Sequence, residues 1–576
     1  MRGNRWTAAI GAMVLLVAAC GSEPPKIERY DTIIKGGTVY DGTGADGIIA
    51  DVAIEDDRIA AIGDLSSAEA DTIIDAAGKV VSPGFINMLS WAVDTLALDG
   101  RGLSDVTQGV TLEVFGEGWS MGPLNDVSRK ALADGFIYRD QPMAATWDTL
   151  GGYLEHLEAR GVSMNVASFV GATTLRINHI GLDDRPPTAE ELAAMQADVR
   201  LAMEEGAMGI GSSLIYAPAF YAKTDELIAL AQIVGEYDGM YISHMRSEGN
   251  RFLEAVDELI TIAEQGGVAA EIYHLKASGK ENWGKLDQAI AKVNAARARG
   301  LDITADMYTY PAGATGLDAA MPPWVQAGDF EAWAARLKDP EIRSRVIAEM
   351  RTPTDEWENL MLAAGADGML LAGFKKTELR HLVGKSLAEV AAERGVSPEE
   401  AALDLVIEDG SRVGTIYFLM SDENVRKKLK LPWLSFGSDA GALDPAIDAE
   451  FGGAHPRAYG TFARVIGKFV RDEEVLTMAD AIRKLTSLPA ANLKIRERGT
   501  LTPGYYADVV VFDPATVTDH ATFAKPHALS TGVEHVWVNG EQVLRDGAHT
   551  GAMPGRVVRG PGWTGWQKRV AARAAE

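Results

Sequence analysis

The sequence predicts an α/β fold: a (β/α)8 TIM barrel, flanked by a small β-sandwich that both ends of the chain build. Three observations carry this expectation. Eight apolar runs of strand length alternate with helical patterns through the middle of the chain. Stretches of period-two alternation, broken by Gly and Asp turns, stand at both ends. One long segment interrupts the last strand–helix repeat.

Taken in order, residues 1–19 read as a leader. Arg2 and Arg5 precede an apolar run over 7–17 that is too short to span a bilayer. The run ends at "VAAC" and then turns polar. It resembles a bacterial lipoprotein signal, with cleavage before Cys20 and lipid on its sulfur. Cys20 is the only cysteine of the chain, which excludes an internal disulfide or a Cys-based zinc cluster. The expectation is an exported protein, periplasmic or at the cell surface, that meets the membrane only through a lipid anchor on Cys20.

The first part of the sandwich covers residues 27–80, where "YDTIIKGGTVYDGTGADGIIADVAIEDDRIAAIGD" alternates apolar and polar positions. The second covers 491–560, with "ADVVVFD" and "VEHVWVNGEQVLRDG". Asn539-Gly540 is a strong two-residue hairpin signal. The barrel takes 81–490. Its strand runs lie at 80–89, 109–116, 163–171, 207–213, 239–244, 268–274, 301–308 and 432–439. Among the helices, "TAEELAAMQADVRLAMEEG" opens with a capping box, Thr188 and Glu191. "RFLEAVDELITIAEQGG" and "GKLDQAIAKVNAARARG" each close on Gly. The segment from about 322 to 429 reads as an insertion over the barrel mouth.

Composition narrows the partners. The 576 residues are 47% apolar and 24% charged, as in an ordinary globular protein, with a formal net charge of −26. Such a surface repels a polyanion and excludes nucleic acid as a partner.

Barrels of this kind carry their chemistry at the C-terminal ends of the strands. There the sequence places Glu117 after run two, His244 after run five and His274 after run six. Tyr308 and Tyr310 follow run seven, and Asp439 follows run eight. Two imidazoles and a carboxylate converging on one mouth suit zinc. Zinc polarises a carbonyl and acidifies water, and a second carboxylate can move the proton to a leaving group. That is amide or ester hydrolysis. Each residue also has a purely structural use. A strand-end His is commonly a hydrogen-bonded fixture, Asp439 can cap its turn, and Glu113 lies close to Glu117 in sequence.

The motifs "IIKGGTVYDGTG", "VVSPGFI", "AMGIGSSLIYAPAFYAKTDEL", "YISHMRSEG", "HLKASGKENWGK", "GSDAG", "HPRAYGTFARVIGKFVR" and "GTLTPGYYADVVVFDP" span nearly the whole mature chain. On them the chain resembles the amidohydrolase superfamily, and within it the D-aminoacylase, or N-acyl-D-amino-acid deacylase, family. The resemblance implies zinc, a barrel with a flanking sandwich, and release of an acyl group from an amino acid. It implies that His244 and His274 hold the tight zinc and that Asp439 is the catalytic aspartate. It makes Tyr308 a donor to the scissile carbonyl oxygen. It also assigns Lys276 to the substrate site and Arg457, in "HPR", to the substrate carboxylate.

The stretch "VVSPGFINMLSWAVD" departs from that pattern. Asn87 replaces an Asp, and Leu89 and Trp91 stand where the family has two histidines. Neither side chain can ligate a metal. Glu117 stands where D-aminoacylases usually have Cys. The expected centre is therefore a single zinc on Glu117, His244 and His274, with Trp91 filling the vacated volume as apolar bulk. The expected function is zinc-dependent hydrolysis of a linear amide, an N-acyl-(D-)amino acid, as small-molecule substrate. Three rivals stand beside it: a cyclic amide or lactone hydrolase, a catalytically degenerate ligand-binding lipoprotein, and a structural surface lipoprotein. Retention of Asp439 with both histidines weighs against a mere binder, and the strand-end pattern weighs against a structural role.

Overall fold

The computed structural model describes residues 28–566, apart from 136, 139–140, 143–144 and 451–452. The leader and Cys20 lie outside the described residues. No helix among the described residues is long and apolar enough to cross a membrane.

The short apolar runs become parallel strands at Phe85–Asn87, Val110–Phe115, Asn165–Ser168, Gly209–Ser213, Met240–His244, Ala269–Ile272 and Ile303–Ala305. The third bends after Ser168, and Val170–Gly171 continues it against the fourth. The eighth position has no regular strand. Bridges Ala305↔Leu434 and Ser90↔Ala440 hold it, with Met88 N donating to Phe436 O at 3.0 Å. These contacts close the barrel. Its strands are buried on both faces, which is why they read as continuous apolar runs and not as alternation. Met88, Leu89, Leu112, Phe169, Ile242 and Tyr273 fill the interior.

The helices follow their signals. Ala189–Glu205 begins with the reciprocal Thr188–Glu191 capping box and ends on left-handed Gly206.

Five N-terminal strands, from Arg29–Val39 to Val80–Pro83, join four C-terminal ones, from Val509–Phe512 to Ala548–His549, in one nine-stranded sheet. Val80–Pro83 pairs antiparallel with Val509–Phe512, so the two ends of the chain meet there. Asn539 and Gly540, both at positive φ, make the hairpin turn that the sequence announces. Beyond residue 549 the chain leaves this sheet, although the sequence reading kept it there to 560. It returns to the barrel, where bridges Val162↔Pro554 and Val166↔Val557 hold it and Val558 enters the interior core.

The interruption before the eighth strand is a unit with its own core and a three-stranded antiparallel sheet of Gly313–Gly316, Gly414–Tyr417 and Met369–Gly373. It begins near 313 and not at 322, because the strand "GATG" has no large apolar side chain to mark it. It ends before Asp422–Leu429, whose Val425 and Leu429 pack into the barrel's outer core.

Candidate metal centre

Glu117 sits in the turn after the second strand, between Gly116 at φ 111° and Gly118 at φ 75°. A Cβ at Gly116 would lie 2.5 Å from Phe169 O, and one at Gly118 would lie 2.1 Å from Ser213 Oγ. Only glycine lets the turn come this close to the third and fourth strands. His244 ends the fifth strand. His274 follows the sixth at φ 37°, with its N–H donating to Asp306 Oδ1 at 2.9 Å. Asp439 is also left-handed, at φ 51°, with its N–H on Leu89 O at 2.8 Å. Such conformations cost non-glycine residues energy and concentrate at functional sites.

These elements bring Glu117, His244 and His274 together, all buried. Glu117 Oε1 lies 3.0 Å from His244 Nδ1 and 2.8 Å from His274 Nε2. Two imidazole nitrogens and one carboxylate oxygen within 4.8 Å of one another form a donor set that fits zinc. Burial alone would raise the Glu117 carboxyl, but the two imidazoles outweigh it and hold it well below the usual range. Burial and Lys276 both lower His274, yet Glu248 and Glu117 on its two nitrogens push it up to about 10.

The sequence reading missed Glu248. It lies in the loop after the fifth strand, four residues past His244. Its Oε1 is 3.0 Å from His274 Nδ1, and its Oε2 is 3.8 Å from His244 Nε2. That carboxylate thus stands against His274 Nδ1, where it can fix the tautomer and orientation of that ring, while His244 Nε2 has no hydrogen-bond partner among the described residues. The motif "YISHMRSEG" contains it, but spacing from a strand end gives no reason to choose it over other loop carboxylates. Glu358, from the insertion, accepts Glu248 N–H at 2.8 Å and so anchors that loop.

The expected substrate cations are both paired. Lys276 Nζ lies 2.6 Å from Glu248 Oε1 and 2.6 Å from His274 Nδ1. Arg457 Nη1 lies 2.7 Å from Asp439 Oδ2, while its buried Nε has no hydrogen-bond partner among the described residues. Arg457 opens the helix Arg457–Arg464, and its guanidinium lies 4.6 Å from the Tyr308 ring centre. Tyr308 is buried with no partner for its hydroxyl among the described residues. Burial pushes that phenol up to about 12, so it stays a donor. Burial also raises Asp439, against the pull of Arg457. Tyr310 turns away from this group, with its hydroxyl on Asp519 at 3.2 Å.

The first strand corrects the expectation for Trp91. It is not inert filler, because its indole Nε1–H donates to Glu117 Oε2 at 2.8 Å. Leu89 instead packs into the barrel interior. Asn87 donates to Glu113 Oε2 at 2.9 Å and Ser438 Oγ at 2.8 Å, and accepts Ser438 N–H at 2.9 Å. An Asp at 87 would face the Glu113 carboxylate without that donor.

All of this opens into a cavity of about 1680 Å³, whose lining includes Trp91, Trp119, Tyr308 and Asp439 from the barrel and Phe330 and Phe374 from the insertion.

Residues 72–544 match the profile of the amidohydrolase family. The chain is 34% identical to a D-aminoacylase of Alcaligenes xylosoxydans xylosoxydans over 92% of its own length and 98% of that protein. The N-acyl-D-glutamate deacylase of Bordetella bronchiseptica, solved with zinc and a phosphonate mimic of the tetrahedral intermediate, superposes with a TM-score of 0.76. It is 31% identical, over 92% of this chain and 100% of that one. A D-aminoacylase described as having a binuclear metal centre, with one-metal activation and second-metal attenuation, superposes at 0.75. It is 35% identical, over 92% and 100%.

Proposed function

The chain belongs to the amidohydrolase family, and within it to the D-aminoacylase group; on that footing we propose that it is a one-zinc deacylase of N-acyl-D-amino acids, exported and tethered through Cys20. The observation that carries the reading is the convergence of His244 Nδ1, His274 Nε2 and Glu117 Oε1 beside Asp439 at one barrel mouth. Zinc held by those three side chains would polarise the scissile carbonyl and acidify a water molecule.

The chain's own groups do the rest. Asp439 takes the proton of the attacking water and passes it to the departing amide nitrogen. The Tyr308 hydroxyl donates to the carbonyl oxygen as charge develops there. Arg457 offers its unpartnered Nε to the substrate α-carboxylate while Asp439 keeps Nη1. Lys276 neutralises Glu248 beside His274 and lines the same cavity as Arg457. The aromatic and aliphatic wall of the cavity receives the acyl group.

The single-ion count rests on the first strand, where Leu89 and Trp91 supply no ligand atom. The tether rests on the leader and "VAAC". In the same reading the nine-stranded sheet of both chain ends is the small flanking sandwich, and the unit from 313 to 421 roofs the mouth.

The test is hydrolysis of paired N-acetyl-D- and N-acetyl-L-amino acids by purified protein whose zinc is counted by elemental analysis. Turnover of D-substrates with one zinc per chain supports the proposal. No turnover of either series by zinc-loaded protein overturns it.

A further inference from the structure

Glu117 uses its two oxygens differently. Oε1 faces the nitrogens of His244 and His274, and Oε2 accepts the indole N–H of Trp91 at 2.8 Å. The indole N–H is a donor only. It can hold a carboxylate but can never replace it on a metal. Trp91 is itself fixed. Its backbone N–H bonds to Ala440 O at 3.0 Å, beside Asp439, and its ring forms part of the cavity wall. The bond joins the first strand's end to the second strand's turn.

A free carboxylate ligand can bind one ion through one oxygen, chelate it through both, or bridge two ions. A strong donor on the outer oxygen occupies one of its two lone-pair directions and so disfavours the last two options. From this we infer that Trp91 is a positioning residue. It holds Glu117 to one-oxygen ligation of a single zinc and puts a donor and a ring where a second cation would approach. The inference rests on the reading of Glu117, His244 and His274 as the zinc ligands. It makes Trp91 a working part of the centre, on a position whose side chain cannot itself touch metal.

Two substitutions separate the N–H from the ring. Trp91→Phe keeps an aromatic ring and deletes the donor. Trp91→Gln deletes the ring and keeps an N–H at comparable reach. Zinc affinity is read by competition with a chromophoric chelator, and stoichiometry by titration with excess zinc. Outer hydrogen bonds to metal ligands are worth about 10–100-fold in metal affinity. The expected result is a loss of about tenfold or more in zinc affinity for Trp91→Phe, with Trp91→Gln close to wild type. Substituted cobalt provides a second readout, because a carboxylate freed to chelate changes the visible absorption of Co²⁺ in Trp91→Phe.

Zinc affinity of Trp91→Phe within about twofold of wild type, set against the expected tenfold, overturns the inference. So do equal losses in both variants, which would assign the effect to packing. A wild-type chain that binds two zinc ions, with Trp91→Phe still weakened, would overturn the one-zinc reading and the exclusion of a second cation, and leave only the hold of Trp91 on Glu117.

Discussion

Glu117 divides the mouth of the barrel into two sides. On one, His244 and His274 reach it at 3.0 and 2.8 Å; on the other, Trp91 reaches it at 2.8 Å. The lengths hardly differ, yet an imidazole nitrogen can release its proton and offer a lone pair, and an indole nitrogen cannot. The histidine side, backed by Glu248 and Lys276, is built to hold a dication. The other side holds Trp91 and Asp439, from the first and eighth strands, with Arg457 paired to Asp439; in the proposed reaction it moves a proton and seats a carboxylate. The lesson is that a barrel can keep every position around a metal while changing which positions hold it.

This division is testable, because each side should fail in its own way. The largest effect is expected for Asp439→Asn, which keeps size but not basicity. Turnover should fall by about 10²–10⁴-fold with zinc content unchanged. Loss of zinc from this variant would break the division.

Next comes Arg457→Ala. Removing one partner of a buried charge pair costs about 2–5 kcal/mol, so kcat/KM for an N-acyl amino acid should fall about 30-fold or more. Because Arg457 also touches Asp439, the matching methyl ester should lose something too, but less. Measuring both substrates on both proteins sharpens the comparison: the excess loss on the acid reports carboxylate recognition, and the shared loss reports Asp439. Equal losses would remove Arg457 from substrate recognition.

On the histidine side, Glu248→Gln puts a neutral amide where a carboxylate faces His274 Nδ1 and Lys276 Nζ. Zinc affinity should drop at least about tenfold, while the Co²⁺-loaded variant at saturating metal keeps most of its turnover. An unchanged dissociation constant would make Glu248 a loop fixture only.

The smallest effect is a slope. In the metal-free protein His274 is raised to about 10, so below that pH it carries a proton that a metal must displace. Raising the pH removes the competitor. Zinc affinity should therefore rise by about tenfold per unit between about pH 6 and about pH 8. A flat profile would mean that His274 is already neutral there.

Much of the site was legible because strand ends are marked in sequence. A short apolar run closing on His, Asp or Glu is a local pattern, and His244, His274, Asp439 and Glu117 all lie on one. The absence of ligands at Leu89 and Trp91 was equally plain. What Trp91 does was not, since its bond spans 26 residues and answers to no period. Glu248 was hidden by standing in a polar loop, where nothing local tells a working carboxylate from a solvated one. The pairing of Lys276 with Glu248 and of Arg457 with Asp439 follows no helix or strand period. The eighth strand was found from its apolar letters although its backbone makes only isolated bridges. The first strand of the insertion was missed because glycine and threonine carry no burial signal.

The final segment has a consequence for how the molecule comes into being. Arg556 N–H bonds to Asn165 Oδ1 across 391 residues, and Val558 sits in the core beneath the first strands of the barrel. The sheet of the two chain ends adds the same long reach, from Val80–Pro83 to Val509–Phe512. A ribosome must therefore finish the polypeptide before its earliest strands acquire their last neighbours, and loop closure over such distances is slow.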